Sequence, residues 1–200
     1  MTRMSSKKFD YQQRFDGVAE YYDSSSNRYC VKRRLRFFKS HALGKCLEVG
    51  AATGGIISEL KSPTFVLGTD LSYQMVCKMS EKGVTGFQSD AEALPVKSEV
   101  LDSIIASEVV YYLDNPTSFF CEAYRVLRKE GILLLSSFNN DVRFYGWLRK
   151  LLRGIGIKQM YFDDGVNEFL TGQEITEMLG TAGFKDTKIM KTIVFPTESL

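Results

Sequence analysis

The feature that most constrains the fold is the segment 46–60, with the sequence CLEVGAATGGIISEL. An apolar run that contains Glu48 passes through small residues into a predicted helix. A second apolar run, residues 64–70, ends at Asp70, twenty residues after Gly50. In doubly wound α/β folds a ligand lies beyond the carboxyl ends of the strands, and an acid about 20 residues past a glycine turn binds ribose hydroxyls. The spacing therefore indicates a nucleotide site.

The glycine turn itself allows more than one ligand. Gly50 and Gly54 predict a tight turn whose main chain can touch a ligand, since glycine has no side chain. The alternative is a plain strand-to-helix turn, with Asp70 capping a helix. A dinucleotide site, as in a nicotinamide-dependent oxidoreductase, needs a bare glycine where Ala52 stands. S-adenosylmethionine has no phosphate and is cationic, so Ala52 and the acid Glu48 favour it.

Two further segments add acids at the ends of predicted strands. Residues 85–95, TGFQSDAEALP, indicate a short strand that closes at Asp90, and the strand predicted over residues 101–107 is followed by Glu108. With Glu48 and Asp70, acids thus mark four successive strands. Any one of them could be an ordinary cap, but four in chain order favour a ligand site along one edge of the sheet.

Taken together, these segments resemble the class I S-adenosylmethionine-dependent methyltransferases, and within them the type 11 group that includes quinone-biosynthesis methyltransferases. The resemblance runs from Phe15 to about Ile189 and rests on FDGVAEYYD (15–23), LEVGAATG (47–54), GTDLS (68–72), SDAEALP (89–95), LDSIIASEVVYYL (101–113) and EAYRVLRKEGILLLSSFN (122–139). It implies an α/β fold with a doubly wound, mostly parallel sheet and helices on both faces. N-terminal helices and a helical insertion after the fifth strand complete this Rossmann-like methyltransferase fold.

The resemblance also implies a role for individual residues around S-adenosylmethionine, whose product is S-adenosylhomocysteine. The predicted cofactor residues are Glu48, Gly50, Ala51, Ala52 and Gly54 around the methionine part, Asp70 at the ribose, Leu71, Asp90 and Ala91 at the adenine, Ser107 on the floor, and Tyr22 closing the site near the sulfonium. The ring face of Tyr22 would favour that cation. No metal site is predicted.

The candidate catalytic residues are Glu108 and Tyr111. Methyl transfer is an in-line displacement, so the first task is to hold the acceptor and the methyl group in line. An oxygen or nitrogen acceptor also needs proton removal. The only histidine, His41, precedes the first strand, so a histidine base is not expected.

The predicted acceptor is a small molecule, methylated at an oxygen, nitrogen or carbon atom. RNA is the second possibility, because residues 1–45 hold eleven Lys or Arg and four Asp or Glu, many of the cations in a predicted helix over residues 27–42. A protein that binds S-adenosylmethionine but catalyses no methyl transfer is a further alternative. A monomer or a homodimer is expected.

The hydrophobic periodicity of successive segments predicts the order of helices and strands along the chain. Helices are expected over 11–22, 27–42, 54–61, 72–82 and 117–128, and strands over 45–49, 64–69, 84–88, 101–107 and 132–138. The chain is expected to form a single domain, 1–200, with a helical cap in 1–43 and a lid-like insertion in 141–170. Thr171 and Glu174 predict a capping box for the last helix, which Gly183 ends. Residues 185–195 predict one strand, and the seventh strand usual in the resembled group is either missing or lies beyond the given sequence.

Composition adds a bound on size and location. With 200 residues and 44% hydrophobic content, one core is expected. The cysteines, Cys30, Cys46, Cys77 and Cys121, form no CxxC pair and predict reduced thiols. No apolar run is long enough for a membrane span and the N-terminus does not resemble a signal peptide, so a soluble, cytoplasmic protein is expected.

Overall fold

The computed structural model describes residues 4–25, 28–138 and 169–190. Five strands form one sheet: β1 (Lys45–Val49), β2 (Phe65–Asp70), β3 (Gly86–Gln88), β4 (Leu101–Ser107) and β5 (Leu127–Ser136). Their spatial order is β3-β2-β1-β4-β5, and every neighbouring pair is parallel. The order reverses between β1 and β4, which makes the sheet doubly wound, as predicted.

Helices precede the sheet and connect its strands. They are α1 (Ser6–Val18), α2 (Tyr22–Ser25), α3 (Arg28–His41), α4 (Tyr73–Glu81), α5 (Pro116–Val126) and α6 (Gly172–Ala182). Side-chain caps fix several of their starts, since a cap accepts from an otherwise unpaired amide. Ser5 and Ser72 cap α1 and α4. Thr171 and Glu174 form the predicted capping box of α6, which ends at Gly183.

The core lies on both faces of the sheet, because successive strand residues point to opposite sides. Leu47 and Ile104 pack on the face that Phe119 of α5 covers, and Leu179 of α6 joins this cluster. On the other face Phe38 of α3 packs with Cys46, Ile105 and Leu134. Also on this face, a Cβ on Gly68 of β2 would lie 2.4 Å from Met79 Sδ of α4. Both faces are thus covered by helices, which explains the nearly continuous apolar strands.

The prediction of a helix over residues 54–61 is wrong. The segment holds only a 3₁₀ turn, Ile57–Glu59, with i to i−3 bonds from Glu59 N and Leu60 N. Only nine residues separate Gly54 from Thr64 at the approach to β2. Paired glycines at the start and Pro63 near the end both disfavour the α conformation. The loop after β1 therefore reaches β2 almost directly.

Strand β5 begins earlier than the strand predicted over residues 132–138. Helix α5 ends at Val126, and Leu127 already pairs with Leu101 of β4. The next pair, Ser103 with Ile132, leaves a bulge on β5. At Glu130 within it φ is +64°. Hydrophobic periodicity did not reveal this strand start, because residues 128–130 are all charged and a glycine follows at position 131.

Some predictions concern residues outside the described part. The lid-like insertion, 141–170, lies outside it except for Phe169 and Leu170. Of the strand predicted over 185–195, residues 185–190 are described and are not in a strand, and the rest lies outside the described residues. Within the described ranges, no helix combines the length and the apolar character needed to cross a membrane.

Candidate functional site

A cleft opens at the carboxyl ends of β1, β2 and β4, where the strand order reverses, and α1 and α2 cover it. This is the ligand position of doubly wound folds. Its lining comprises Lys8, Tyr11, Phe15 and Tyr22 from the N-terminal helices, Val49, Gly50 and Ala52 after β1, Thr69, Asp70 and Leu71 after β2, Ser89, Asp90 and Ala91 after β3, and Ser107, Glu108, Val109, Tyr112 and Leu113 after β4.

The loop after β1 presents its main chain to the cleft. Gly50 has φ +66°, and a Cβ there would lie 2.5 Å from Val109 Cγ2. Ala52 has φ +47° and donates its N–H to Asp70 Oδ2 at 2.8 Å. Gly54 instead packs beneath α4, where a Cβ would lie 2.8 Å from Met79 Cγ. The bare backbone at Gly50 forms a cradle that a side chain would fill.

Asp70 holds two loops together at the end of β2. Its Oδ2 accepts from Ala52 N, and its Oδ1 accepts from Ser72 N at 2.9 Å. Burial raises the pKa of the carboxyl to about 6, although these amide donors favour the ionised form. Asp70 therefore organises the site as well as lining it.

Asp90 lies one strand further along the same edge. Its Oδ1 accepts from Glu92 N at 2.9 Å, and its Oδ2 lies 2.6 Å from Lys8 Nζ. The same ammonium lies 3.0 Å from Glu92 Oε2. A residue of the N-terminal helix thus reaches the predicted adenine acid, which the sequence did not reveal.

Glu48 lies below the cleft rather than in its lining. Its side chain is 2% exposed, and its Oε2 has no hydrogen-bond partner among the described residues. Burial raises the pKa of this carboxyl to about 8, against a bond from the Ile57 amide and the nearby charge of Arg34. A buried acid with an unsatisfied oxygen calls for a partner.

Glu108 closes the cleft at the end of β4 and is held on both oxygens. Oε1 lies 3.3 Å from Arg34 Nη1, while Oε2 accepts from Tyr111 Oη at 3.1 Å and Phe138 N at 3.1 Å. Burial raises the pKa of Tyr111 far above its usual range. Tyr111 lies outside the cleft lining and positions Glu108, which makes it a poor base in this arrangement.

Aromatic side chains of α1 form the roof of the cleft. The rings of Tyr11 and Phe15 meet Tyr112 edge to face, with centroids 5.2 and 5.3 Å apart. Two acids, one in α1 and one in α2, join these helices to the loops after β2 and β1. Asp16 accepts from Ser72 Oγ at 2.5 Å, and Asp23 from Thr53 Oγ1 at 2.6 Å.

The structure brings most of the predicted site residues into this one cleft. Those that line it are Tyr22, Gly50, Ala52, Asp70, Leu71, Asp90, Ala91, Ser107 and Glu108, whereas Glu48, Ala51, Gly54 and Tyr111 lie behind the lining. Lys8 and Tyr11 were missed, although Lys8, Tyr11, Phe15 and Tyr22 recur at helical spacing. Among the described residues, no group of three or more His, Cys, Asp or Glu could hold a metal ion.

Comparison with known proteins connects this cleft to a family. A methyltransferase domain matches residues 47–135, which span β1 to β5. A malonyl-[acyl-carrier protein] O-methyltransferase of Marinomonas sp. is 28% identical over 67% of this chain. The chain belongs to the class I S-adenosylmethionine-dependent methyltransferases. This methyltransferase is also 30% identical to an uncharacterized protein of Methanocaldococcus jannaschii, over 90% of this chain and 84% of that protein.

The fold agrees with solved methyltransferases. An S-adenosylmethionine-dependent methyltransferase of Thermotoga maritima superposes with a TM-score of 0.65 and 22% identity, covering 84% of this chain and 80% of that one. The aligned part of the chain covers only 53% of the length of the Marinomonas enzyme.

Proposed function

We propose that this methyltransferase binds S-adenosylmethionine in the cleft and moves its methyl group to a small-molecule acceptor. The observation that carries the proposal is that Asp70 and Asp90, at the ends of neighbouring strands, line one cleft together with the bare turn at Gly50. This places two acids and a backbone cradle along a single ligand path. The unsatisfied oxygen of Glu48 beneath the turn fits a cationic ligand.

The adenosine part would lie over β2 and β3. Asp70 would accept from the ribose hydroxyls, since both its oxygens lie at the strand end and carry backbone donors that fix their position. Asp90 would accept from the adenine amine, with Leu71 and the Ala91 amide at the ring. Charge-assisted bonds of this kind are stronger than neutral ones.

The reacting end would lie over β1 and β4. Bound S-adenosylmethionine supplies an electrophilic methyl group, so the chain has to orient the acceptor and exclude water. Ser107 and Glu108 form the polar floor there, and Tyr22 closes the site on the side of α2. Glu108 is the candidate to hold or move an acceptor proton, with Tyr111 and Arg34 fixing its carboxylate.

A small, partly aromatic or lipid-like molecule is the acceptor class that we favour. Tyr11, Phe15 and Tyr112 give the roof an apolar character beside the polar floor. Two cations of the helix that motivated an RNA acceptor are engaged in the fold, Arg34 with Glu108 and Lys39 with Glu59. The small molecule therefore ranks above RNA.

Calorimetric titration with S-adenosylhomocysteine tests the cofactor site. We expect Asp70→Asn to weaken binding about 10- to 100-fold, the equivalent of roughly 1.5–3 kcal/mol for a bond to a charged group. Asp102→Asn is the matched control, because Asp102 accepts from Lys45 N at the amino end of the sheet. Equal affinity in folded wild type and Asp70→Asn would contradict the ribose assignment.

Methyl transfer is tested separately with a panel of small acceptors and RNA. Formation of S-adenosylhomocysteine that depends on a small acceptor supports the proposed reaction. Cofactor binding with no turnover on any acceptor would instead support a protein that only binds S-adenosylmethionine. RNA-dependent turnover, with affinity that falls steeply as salt rises, would support the RNA alternative.

A further inference from the structure

Glu92 lies behind the lining of the cleft and joins the loop after β3 to two other parts of the fold. Its Oε1 accepts from Asp114 N at 2.8 Å and from Asn115 N at 3.1 Å, just before α5 begins. Its Oε2 lies 3.0 Å from Lys8 Nζ of α1. The first oxygen therefore fixes the position of the carboxylate, while the second presents negative charge to α1.

The ammonium of Lys8 is shared between Glu92 and Asp90, whose Oδ2 lies 2.6 Å away. The side chains of Lys8 and Glu92 are only 12% and 11% exposed, whereas that of Asp90 is 34% exposed. Burial acts to lower the pKa of Lys8, but hydrogen bonds and charge from the two acids together raise it above its ordinary value. The ammonium is therefore charged near neutral pH and needs a carboxylate beside it, because an unpaired buried charge is costly.

The two acids differ in what a ligand can reach. Asp90 lines the cleft, as Lys8 does, and Glu92 lies behind it. A ligand that donates a hydrogen bond to Asp90 therefore competes with Lys8 for that carboxylate. The same ligand leaves the pair of Lys8 with Glu92 intact.

We propose that Glu92 is a positioning residue, which keeps the Lys8 ammonium when the adenine amine takes Asp90, so that α1 stays fastened over the bound cofactor. This inference rests on the proposed function, with Asp90 as the acid at the adenine. Without the charge of Glu92, Lys8 would either hold Asp90 against the ligand or remain buried with no carboxylate beside it. Either outcome weakens cofactor binding.

The two partners of this ion pair should therefore act in opposite directions. Lys8 pairs with both acids in the free protein and with Glu92 alone in the loaded one, so removing Lys8 destabilises the free protein more. Loss of the charge of Glu92 destabilises the loaded protein more, since Lys8 can still pair with Asp90 in the free one. The effect of Glu92 on affinity should thus depend on the presence of Lys8, as the binding free energies of coupled sites do.

A double-mutant cycle with S-adenosylhomocysteine, measured by calorimetric titration, tests this dependence. Glu92→Gln keeps a side-chain oxygen for the amides of Asp114 and Asn115 and loses the charge that faces Lys8. We expect it to weaken binding about 3- to 30-fold, as for a lost charge-assisted contact. The same change made together with Lys8→Met should leave the affinity within about 2-fold of Lys8→Met alone.

Glu122→Gln is the matched control. Glu122 also anchors the segment after β3, because its Oε2 accepts from Leu94 N at 2.8 Å, and its charge is paired with Arg125 instead of Lys8. Any effect of this variant on affinity should be the same with and without Lys8.

Hydrogen exchange of the α1 amides gives a second readout, which a purely structural role of Glu92 would not change in this way. None of the residues of α1 is buried, so the helix depends on contacts such as that of Lys8. In Glu92→Gln, addition of S-adenosylhomocysteine should speed exchange in residues 6–18, because the ligand takes the last acid from Lys8. In the wild type, exchange there should not become faster.

The outcomes are distinct. Equal weakening by Glu92→Gln with and without Lys8 would mean that Glu92 only supports the loop, and would overturn the inference. Unchanged affinity in Glu92→Gln would overturn it as well. If Glu92→Gln does not fold, the same cycle with Glu92→Asp, which keeps the charge but withdraws it from Lys8, decides the question by the same criterion. A wild-type protein that does not bind S-adenosylhomocysteine would overturn the proposed function itself.

Discussion

Lys8 Nζ of α1 lies 2.6 Å from Oδ2 of Asp90, and both residues line the cleft. The lysine side chain is 12% exposed, so this contact is part of the interior of the cleft rather than its rim. An adenine amine that donates to Asp90 would compete with Lys8 for the same oxygen. Helix α1 and the proposed cofactor would therefore share Asp90 as a binding partner.

This competition predicts that Lys8→Met strengthens cofactor binding. Removing the ammonium frees Asp90, whose side chain is 34% exposed. Such an ion pair is worth about 0.2–1 kcal/mol, so we expect affinity for S-adenosylhomocysteine to rise roughly 1.4- to 5-fold. Stopped-flow measurement should show a faster association rate. Lys39→Met, which removes an exposed pair with Glu59, is the control. Weaker binding in Lys8→Met would show that Lys8 contacts the ligand instead of competing with it.

The glycine cradle predicts opposite effects for two alanine substitutions. Gly50→Ala puts a Cβ at φ +66° and 2.5 Å from Val109 Cγ2, so it should destabilise the fold by about 1–3 kcal/mol and abolish cofactor binding. Gly17→Ala meets nothing within 4 Å in α1 and should stabilise the protein by up to about 1 kcal/mol. Urea denaturation measures both. Normal cofactor binding in Gly50→Ala would show that the backbone turn at Gly50 does not contact the cofactor.

Glu48 predicts a stability that falls with rising pH. Its folded-state pKa, about 8, exceeds the ordinary value of 4.5, so the folded chain holds a proton that the unfolded chain releases. The free energy of unfolding should decline between pH 4.5 and 8 for this reason. Glu48→Gln should flatten the decline and gain at least about 1 kcal/mol over wild type at pH 8. Exposed Glu59→Gln is the control, and parallel curves for wild type and Glu48→Gln would contradict the assignment.

The same acid predicts that cofactor binding releases a proton near pH 7. In the free protein burial keeps Glu48 largely protonated, since its pKa is about 8. An ammonium beside it would favour the carboxylate and expel the proton. Titrations with S-adenosylhomocysteine in buffers of different ionisation enthalpy should reveal the release in wild type and its loss in Glu48→Gln. Identical proton counts in the two proteins would place the ammonium elsewhere.

The sequence predicted the strands that end at the cleft better than it predicted the helices around them. Strands 45–49 and 101–107 matched to the residue, because each is a buried apolar run with an acid at or near its end. The helix after β1 did not form, because its short segment lies between paired glycines and Pro63. Hydrophobic periodicity does not show whether the residues between Gly54 and β2 are numerous enough both to form a helix and to reach β2.

The contacts that complete the site were not predictable from local sequence. Arg34 and Glu108 are 74 positions apart in the chain, and nothing in the basic pattern of α3 distinguishes Arg34 from its neighbours. Only the packing of α3 on the sheet selects it. The sequence likewise showed Tyr111 as a candidate base, and the packing that places its hydroxyl against Glu108 gives it a different task.

The polar contacts that fasten α1 join residues very distant in the chain. Lys8 meets Asp90 across 82 positions, and Ser5 donates to Asp114 across 109. During synthesis α1 can therefore complete its contacts only after the segment that follows β4 has been made. Until then Asp16 can bond only to Ser72 and Gln74 at the start of α4, and α1 buries none of its residues. The roof of the cleft is thus assembled late, so a nascent chain presents an open site until the residues after β4 have been translated.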